Sequence, residues 1–354
     1  MKKILLSLLI GLTIISCKDK NAGNGMTASG LDPAKFAYTN ENGKANKLYV
    51  LKNTAGMEVT VTNLGARIIS IMVPDKAGNM QNVLRGYDNI EPYQQFSNYT
   101  GAVLGRYAGR LSGGEISIDR VRYDLRTNEN KTMLNGGPRG FSTQHFTIEQ
   151  TATNSLTCSY QSKAGEEGFP GNLETIVTYA LSEDNSLVIT YEAIAFDRST
   201  YVNLTNQLPF NLSGADATSN AGHSLFVDAL TYVETTDDKI PTGKFSSVKK
   251  SDFDFQELSP LNTGFVYDVT FKLNESSEEI NNAAVKLVSE NTGISLEIRT
   301  AEPGIYMMTT ENPAAIILQS QHFSDSPKHE HFPSTVVSSG SAFKSTTVYK
   351  FGVQ

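Results

Sequence analysis

The side chains best suited to chemistry lie in residues 201–214, where polar and apolar residues alternate. The polar members are Asn203, Thr205, Asn206, Gln207 and Asn211. In a pleated strand this alternation would present amides on one side. Amides donate and accept hydrogen bonds but exchange no proton near neutral pH, so they suit binding better than acid–base catalysis. Pattern alone also fits an edge strand whose amides face water.

Length and charge limit the class of protein. The chain has 354 residues, of which 39% are hydrophobic, enough for one large β domain with a substantial core. Its formal net charge is −7 and it contains no basic block. Since such a block would be needed to neutralise phosphates, we expect no nucleic-acid partner.

The N-terminus carries a targeting signal. Two lysines precede a short apolar run that ends at Ser16 and Cys17, which resembles a bacterial lipoprotein cleavage site. This predicts a signal peptide at 1–16, then a lipidated Cys17 and a flexible tether through 46, and a domain at 47–354. The lipid would anchor the protein to a membrane of the bacterial cell envelope. An ordinary secretory signal with a chance cysteine is the alternative, and Cys158 is expected to be a buried apolar residue without a disulfide partner.

The rest of the chain has the pattern of strands and turns. Alternating or dense apolar runs predict strands at 57–62, 67–73, 284–288, 294–298 and 346–351, and a hairpin at 116–125. Helical periodicity is scarce, with one short candidate at 89–96. These patterns predict an all-β fold, a large antiparallel sandwich.

Short motifs from residue 47 onward carry a family resemblance. They are NLGA at 63–66, GRYAGR at 105–110, LNGG at 134–137, GFPGNL at 168–173, NLTN at 203–206, IPTG at 240–243, YD at 267–268, EPG at 302–304 and QSQHF at 319–323. Their order is that of the aldose 1-epimerase, or galactose mutarotase, family, which the sequence resembles. The resemblance implies a galactose mutarotase-like β-supersandwich with an open cleft that binds a hexose.

The implied reaction needs two titratable groups. To interconvert the anomers of an aldose, a base takes the proton of the anomeric hydroxyl while an acid protonates the ring oxygen. The resemblance places the family's glutamate base at Gln319 and its histidine acid at Gln207. It places the family's second histidine at Asn135, its asparagine at Gly109 and its glutamine at Tyr306. Of the implied sugar-binding residues, only the arginine, Arg110, and the aspartate, Asp268, match.

These substitutions predict binding with weak or absent mutarotase activity. Amides, a carboxylate and an arginine can still hold sugar hydroxyls, but neither glutamine can exchange a proton. The first hypothesis is therefore a carbohydrate-binding lipoprotein with a mono- or oligosaccharide ligand. The predicted binding residues are Arg110, Asn135, Gln207, Asp268, Tyr306 and Gln319.

Two other hypotheses stay open. An active epimerase would require Asp268 or a bound water to transfer protons, and a structural or interaction protein would keep the fold without the sugar. Arg110 could instead form a surface ion pair, Asp268 could shape a turn, and Tyr306 could stack on a sugar or fill space. The histidines at 329 and 331 could supply two metal ligands, but the resemblance implies a polar loop without metal. We expect no cofactor and a monomer.

Overall fold

Antiparallel strands dominate the computed structural model, which describes residues 25–95, 98–274 and 280–354. In chain order the strands are β1 (Tyr38–Thr39), β2 (Ala45–Asn46), β3 (Leu48–Lys52), β4 (Glu58–Thr62), β5 (Arg67–Pro74), β6 (Met80–Asn82), β7 (Val103–Leu104), β8 (Arg110–Leu111), β9 (Glu115–Ile118), β10 (Val121–Asp124), β11 (Met133–Leu134), β12 (Thr147–Ala152), β13 (Ser155–Ser162), β14 (Leu173–Leu181), β15 (Ser186–Ala195), β16 (Thr200–Tyr201), β17 (Thr205–Asn206), β18 (Pro209–Phe210), β19 (His223–Val227), β20 (Thr231–Thr235), β21 (Pro241–Ser247), β22 (Ser259–Pro260), β23 (Asp268–Lys272), β24 (Val285–Ser289), β25 (Ile294–Thr300), β26 (Gly304–Glu311), β27 (Ala314–Gln321), β28 (Val336–Val337) and β29 (Ala342–Val353). The helical elements in these ranges are short 3₁₀ helices at Pro33–Lys35, Glu91–Gln94, Ser112–Gly114, Phe141–Thr143, Glu166–Gly168 and Ser326–Lys328. The predicted all-β class is confirmed.

Three larger sheets organise the chain. The largest has nine strands in the order β12-β13-β14-β15-β29-β25-β24-β19-β22. A six-stranded sheet has the order β18-β27-β26-β23-β20-β21, and a four-stranded sheet the order β3-β4-β5-β6. The last strand, β29, lies in the middle of the nine-stranded sheet, between β15 and β25.

One apolar core joins these sheets. It contains Val59 from the four-stranded sheet, Ile189 from the nine-stranded sheet and Leu318 from the six-stranded sheet, none of them exposed. Phe210 of β18 lies 5.8 Å from Tyr349 of β29, measured between ring centroids, so the two largest sheets are in direct contact. Cys158 is buried in this core, as expected, and burial raises the pKa of its thiol.

The predicted strand patterns match the observed strands closely. The hairpin at 116–125 forms as β9 and β10, and both of its turn residues, Asp119 and Arg120, have positive φ. This is the backbone twist that a two-residue hairpin turn requires. The candidate helix at 89–96 forms only as the 3₁₀ turn Glu91–Gln94, which is shorter than expected. Among the described residues, no helix is both long and apolar enough to span a bilayer.

The N-terminal segment differs from the expected flexible tether over residues 25–46. Phe36 is fully buried and packs in a small cluster with Leu31 and Tyr93. The N–H of Ala28 donates to Glu58 Oε1 at 2.7 Å. Apolar side chains in this polar segment therefore dock on the sandwich, and the packed domain begins before residue 47. Cys17 and residues 18–24 lie outside the described residues.

Candidate functional site

Residues 201–214 do not form one exposed edge strand. They are divided among β16, β17 and β18, which pair with three different partners, namely β28, β7 and β27. Nearly every residue of β16 to β18 and of their connections is buried. These residues therefore run through the interior of the fold, and the alternative of an edge strand with water-facing amides is not observed.

Most amides of this stretch serve the backbone. The Asn203 amide donates to Ala108 O at 2.9 Å and to His322 O at 3.2 Å. Asn206 donates to Gly101 O at 3.0 Å and accepts from Tyr191 Oη at 2.6 Å. Because a buried polar group is costly without partners, these asparagines are required by the fold and are not available to a ligand.

Gln207 is the exception, and it meets Gln319. Its backbone N–H donates to Ala102 O at 3.0 Å, and its carbonyl accepts from Gly101 at 2.7 Å. The side-chain amide of Gln319 donates to Gln207 Oε1 at 3.4 Å, which is long for a hydrogen bond. The two residues that sequence analysis placed at the acid and base positions are thus brought together, in a contact weak enough to exchange for a ligand hydroxyl.

Tyr306 and Asp268 lie beside this pair on the six-stranded sheet. Tyr306 in β26 is directly opposite Gln319 in β27, so both side chains project from the same face. The phenol of Tyr306 donates to Asp268 Oδ1 at 3.0 Å, and Lys239 Nζ lies 3.7 Å from Oδ2. Burial and the negative charge of Asp268 raise the pKa of Tyr306, so the phenol stays protonated.

Arg110 is held by an acidic residue that sequence analysis did not identify. Glu129 accepts from Arg110 Nε at 2.6 Å and from Nη2 at 2.9 Å, a bidentate pair. Burial alone would lower the pKa of Arg110, but the hydrogen bond to Glu129 and its charge raise it above the ordinary value. The Arg110 side chain is 16% exposed, so its guanidinium is a fixed positive group at the cleft edge. No sequence signal pointed to Glu129, which lies in a loop between β10 and β11.

Two hydrogen bonds join Asn135 and Gly109. Asn135 Oδ1 accepts from the N–H of Gly109 at 2.9 Å, and the Asn135 N–H donates to Gly109 O, also at 2.9 Å. Gly109 has a φ of 82°, and a Cβ there would collide with Ser324 Oγ. A side chain at 109 would therefore require Ser324 to move, and Asn135 acts on the backbone that leads into Arg110.

A buried arginine supports the loop that carries Gln207. Arg67 in β5 is fully buried and donates to the carbonyls of Thr100 and Asn98, each at 2.7 Å. Burial lowers the pKa of Arg67 to about 10. Thr100 precedes Gly101, whose N–H donates to Gln207 O, so Arg67 fixes the position of Gln207 indirectly.

The histidines near the C-terminus contact protein groups. Nε2 of His329 lies 3.2 Å from Pro241 O, and Nε2 of His331 lies 2.6 Å from Gly243 O. His322 Nδ1 lies 2.6 Å from Glu302 Oε2. Within the described ranges, no three potential metal ligands are grouped together.

Gln207, Gln319, Tyr306 and Asp268 are called the central residues below. Two cavities lie beside them. One, of about 590 Å³, is bounded by Gln207, Met308 and Ile317 among others. The other, of about 430 Å³, is bounded by Arg110, Glu129 and Lys239. Chemically, the site offers amides, a carboxylate, a phenol and cations, a set that can bind a polyhydroxylated ligand.

Comparisons with known proteins agree with this architecture. The sequence model of the family described as aldose 1-epimerase matches residues 47–350. Galactose mutarotase of Mus musculus is 31% identical over 318 residues, which cover 84% of this chain and 92% of the mouse protein. Aldose 1-epimerase of Escherichia coli K12 is 29% identical over 336 residues, covering 88% of this chain and 96% of that protein.

Solved structures show the same fold. An aldose epimerase homologue from C. elegans superimposes with a TM-score of 0.81 at 26% identity, covering 87% of this chain and 99% of the other. A galactose 1-epimerase from Lactobacillus acidophilus gives a TM-score of 0.77 at 22% identity, covering 90% of this chain and 97% of the other. With the family model matching nearly the whole domain and relatives at this identity, the chain belongs to the aldose 1-epimerase family.

Proposed function

We propose that the protein binds a carbohydrate in this cleft and has weak or no mutarotase activity. The observation that carries the proposal is the contact between Gln207 and Gln319, two amides side by side where anomer interconversion would need an acid and a base. Both amides can hold sugar hydroxyls, and neither can take or give a proton near neutral pH. A positioned acid or base contributes ~10²–10⁴-fold, so their loss removes most of the acceleration.

The neighbouring groups favour binding over a substitute mechanism. An active epimerase could draw on Asp268 as base and Tyr306 as acid, because Tyr306 lies opposite Gln319 and donates a hydrogen bond to Asp268. The raised pKa of Tyr306 makes its phenol a poor acid near pH 7, where efficient proton transfer needs a pKa close to the working pH. Asp268 is better placed to accept sugar hydroxyls, since a quarter of its side chain is exposed.

Retention of a binding surface argues against a purely structural role. Arg110 lines the 430 Å³ cavity, and Asp268 lies 3.7 Å from Lys239, which lines the same cavity. The side chain of Asp268 is 25% exposed, so its oxygens remain accessible to a ligand hydroxyl. Both residues therefore suit a polar ligand.

Calorimetric titration with a panel of monosaccharides and oligosaccharides tests this function. We expect at least one sugar to bind, and Asp268→Asn to weaken it at least several-fold. Glu149→Gln is the matched control, because Glu149 lies exposed on β12 at the far edge of the nine-stranded sheet. Absence of heat with every sugar, or equal affinities in both variants and wild type, would refute the proposal.

The proposed location is the bacterial cell envelope. The apolar run at the N-terminus, followed by Ser16 and Cys17, supports processing to a lipid-anchored protein. A sugar-binding domain at that position would meet carbohydrate outside the cytoplasm.

A further inference from the structure

A cavity of about 590 Å³ adjoins the central residues. Gln207 lines this cavity and also contacts Gln319. Met308 in β26 and Ile317 in β27 are opposite each other and lie two residues along their strands from Tyr306 and Gln319. Residues two apart on a strand share a face and lie about 7 Å apart, comparable to the spacing of neighbouring pyranose rings.

The side chains that line this cavity combine apolar surface with charged groups, as a sugar-binding subsite requires. Met308, Ile317 and Leu31 give it an apolar surface, on which the C–H face of a pyranose can pack. Arg85 and Asp216 bring charged groups to the same cavity. Mostly apolar walls with a few polar groups are typical of small-molecule sites, and the volume falls within their range.

Arg85 is the most informative member of the lining. Its backbone N–H donates to Pro209 O at 2.8 Å, which fixes the residue against β18. The side chain is half-buried, and its guanidinium has no hydrogen bond or ion pair with any of the described residues. By contrast, Arg110, Arg67 and Arg106 are all engaged by protein oxygens. A partly desolvated cation with five unused donors favours an oxygen-rich partner.

One wall comes from outside the region that the family model matches. The match begins at residue 47, whereas Leu31 belongs to the segment that docks through Phe36 and Ala28. Leu31, which precedes the matched region, therefore contributes to the wall of the cavity.

We propose that the cleft binds an oligosaccharide rather than a free hexose, with one sugar unit at Gln207, Gln319 and Asp268 and the next unit in the cavity lined by Met308, Ile317 and Arg85. This inference rests on the proposed function and names its ligand class. The second unit packs its apolar face on Met308 and Ile317 and directs its oxygens to Arg85.

The test compares chain lengths in wild type and in variants of the cavity. The probes are glucose, galactose, mannose and xylose with their β-linked disaccharides and trisaccharides, titrated by calorimetry. We expect at least a tenfold gain in affinity from monosaccharide to disaccharide in wild type. Met308→Trp, which fills the cavity, should abolish that gain, so that monosaccharide and disaccharide bind this variant with equal affinity. Arg85→Gln should reduce the gain several-fold.

Ala215→Trp keeps the test decisive if Met308→Trp does not fold, because Ala215 also lines the cavity and is only partly buried. Equal affinities for monosaccharide and disaccharide in wild type, or a gain that survives both tryptophan variants, would overturn the inference and leave the proposed function intact. Failure of every saccharide to bind would instead refute the proposed function itself. The titrations therefore distinguish failure of the oligosaccharide inference from failure of the proposed carbohydrate binding.

Discussion

At the scale of single residues, two glutamines occupy the positions that the family resemblance assigns to a proton-transferring pair. Gln319 is 3% exposed, and two hydrogen bonds fix the backbone of Gln207. Each is close in size to the residue that the family resemblance implies there. A site with these two glutamines therefore differs from one with the implied histidine and glutamate in its ability to transfer protons, not in its shape.

Restoring the titratable pair should restore some catalysis. We expect polarimetry on fresh α-glucose or α-galactose to show near-spontaneous rates for wild type and a faster rate for Gln207→His with Gln319→Glu. The gain is expected to be incomplete, because Asn135, Gly109 and Tyr306 differ from the residues that the family resemblance implies there, and a misplacement of about 1 Å can cost ~10²-fold.

Each single variant serves as a control, since one titratable group without its partner should accelerate anomer interconversion less than the double variant does. A wild-type rate far above the spontaneous one, abolished by Asp268→Asn, would contradict this account and identify Asp268 as the base.

At the scale of elements, the site depends on a buried strand-and-loop segment held by polar contacts. His223 opens β19 and accepts a hydrogen bond at Nε2 from the Leu212 N–H at 3.0 Å. Its Nδ1 lies 3.0 Å from Asn220 O, so Nδ1 carries the proton and the ring is neutral. Protonating Nε2 would turn an acceptor into a donor that faces another donor.

Stability should therefore fall in acid. Burial lowers the pKa of His223 below its ordinary value of 6.5, so the unfolded state binds this proton more readily than the folded state. The free energy of unfolding should decrease as pH falls through 6.5 and onward to the lowered folded value. Urea denaturation at pH 7.5 and pH 5 measures this loss, which should be smaller in His223→Gln.

His331→Gln is the matched control, because His331 is exposed and should change the pH dependence little. An identical acid loss in wild type and His223→Gln would show that other groups cause it.

Sequence patterns predicted the elements better than the contacts between them. Alternating or dense apolar runs located β4, β5, β24, β25 and β29, because such runs are a local property of the sequence. The same alternation at 201–214 was misleading, since three short strands in different sheets bury both faces. Motif order located Gln207, Gln319, Arg110 and Asp268, but Glu129 and Arg85 take their places through loops whose shape depends on distant contacts.

At the scale of the whole molecule, the N-terminal segment connects the proposed anchor to the cleft. Gly25 is the first described residue, eight residue steps beyond Cys17 (25 − 17), a span of at most about 28 Å. Leu31 already lines the cavity beside Gln207. A lipid on Cys17 would therefore hold the binding domain close to the membrane surface.

Anchoring predicts a specific mature form. We expect a chain of 338 residues (354 − 16) that begins with lipidated Cys17, detected by intact mass and by partition into the detergent phase. Cys17→Ala should abolish lipidation and release or misprocess the protein. Cys158→Ala is the control, because Cys158 is buried in the core and should leave partitioning unchanged. A wild-type protein that is unacylated and begins elsewhere would contradict the anchor.

The central claim is that the protein holds a sugar without interconverting its anomers, and proton NMR on an anomeric mixture tests both parts in one sample. For a hexose or disaccharide that binds, saturation transfer from the protein should reach the sugar protons. Exchange between the two anomeric signals should stay at its spontaneous rate. Protein-dependent exchange between the anomers, or no saturation transfer to any sugar of the panel, would contradict the account.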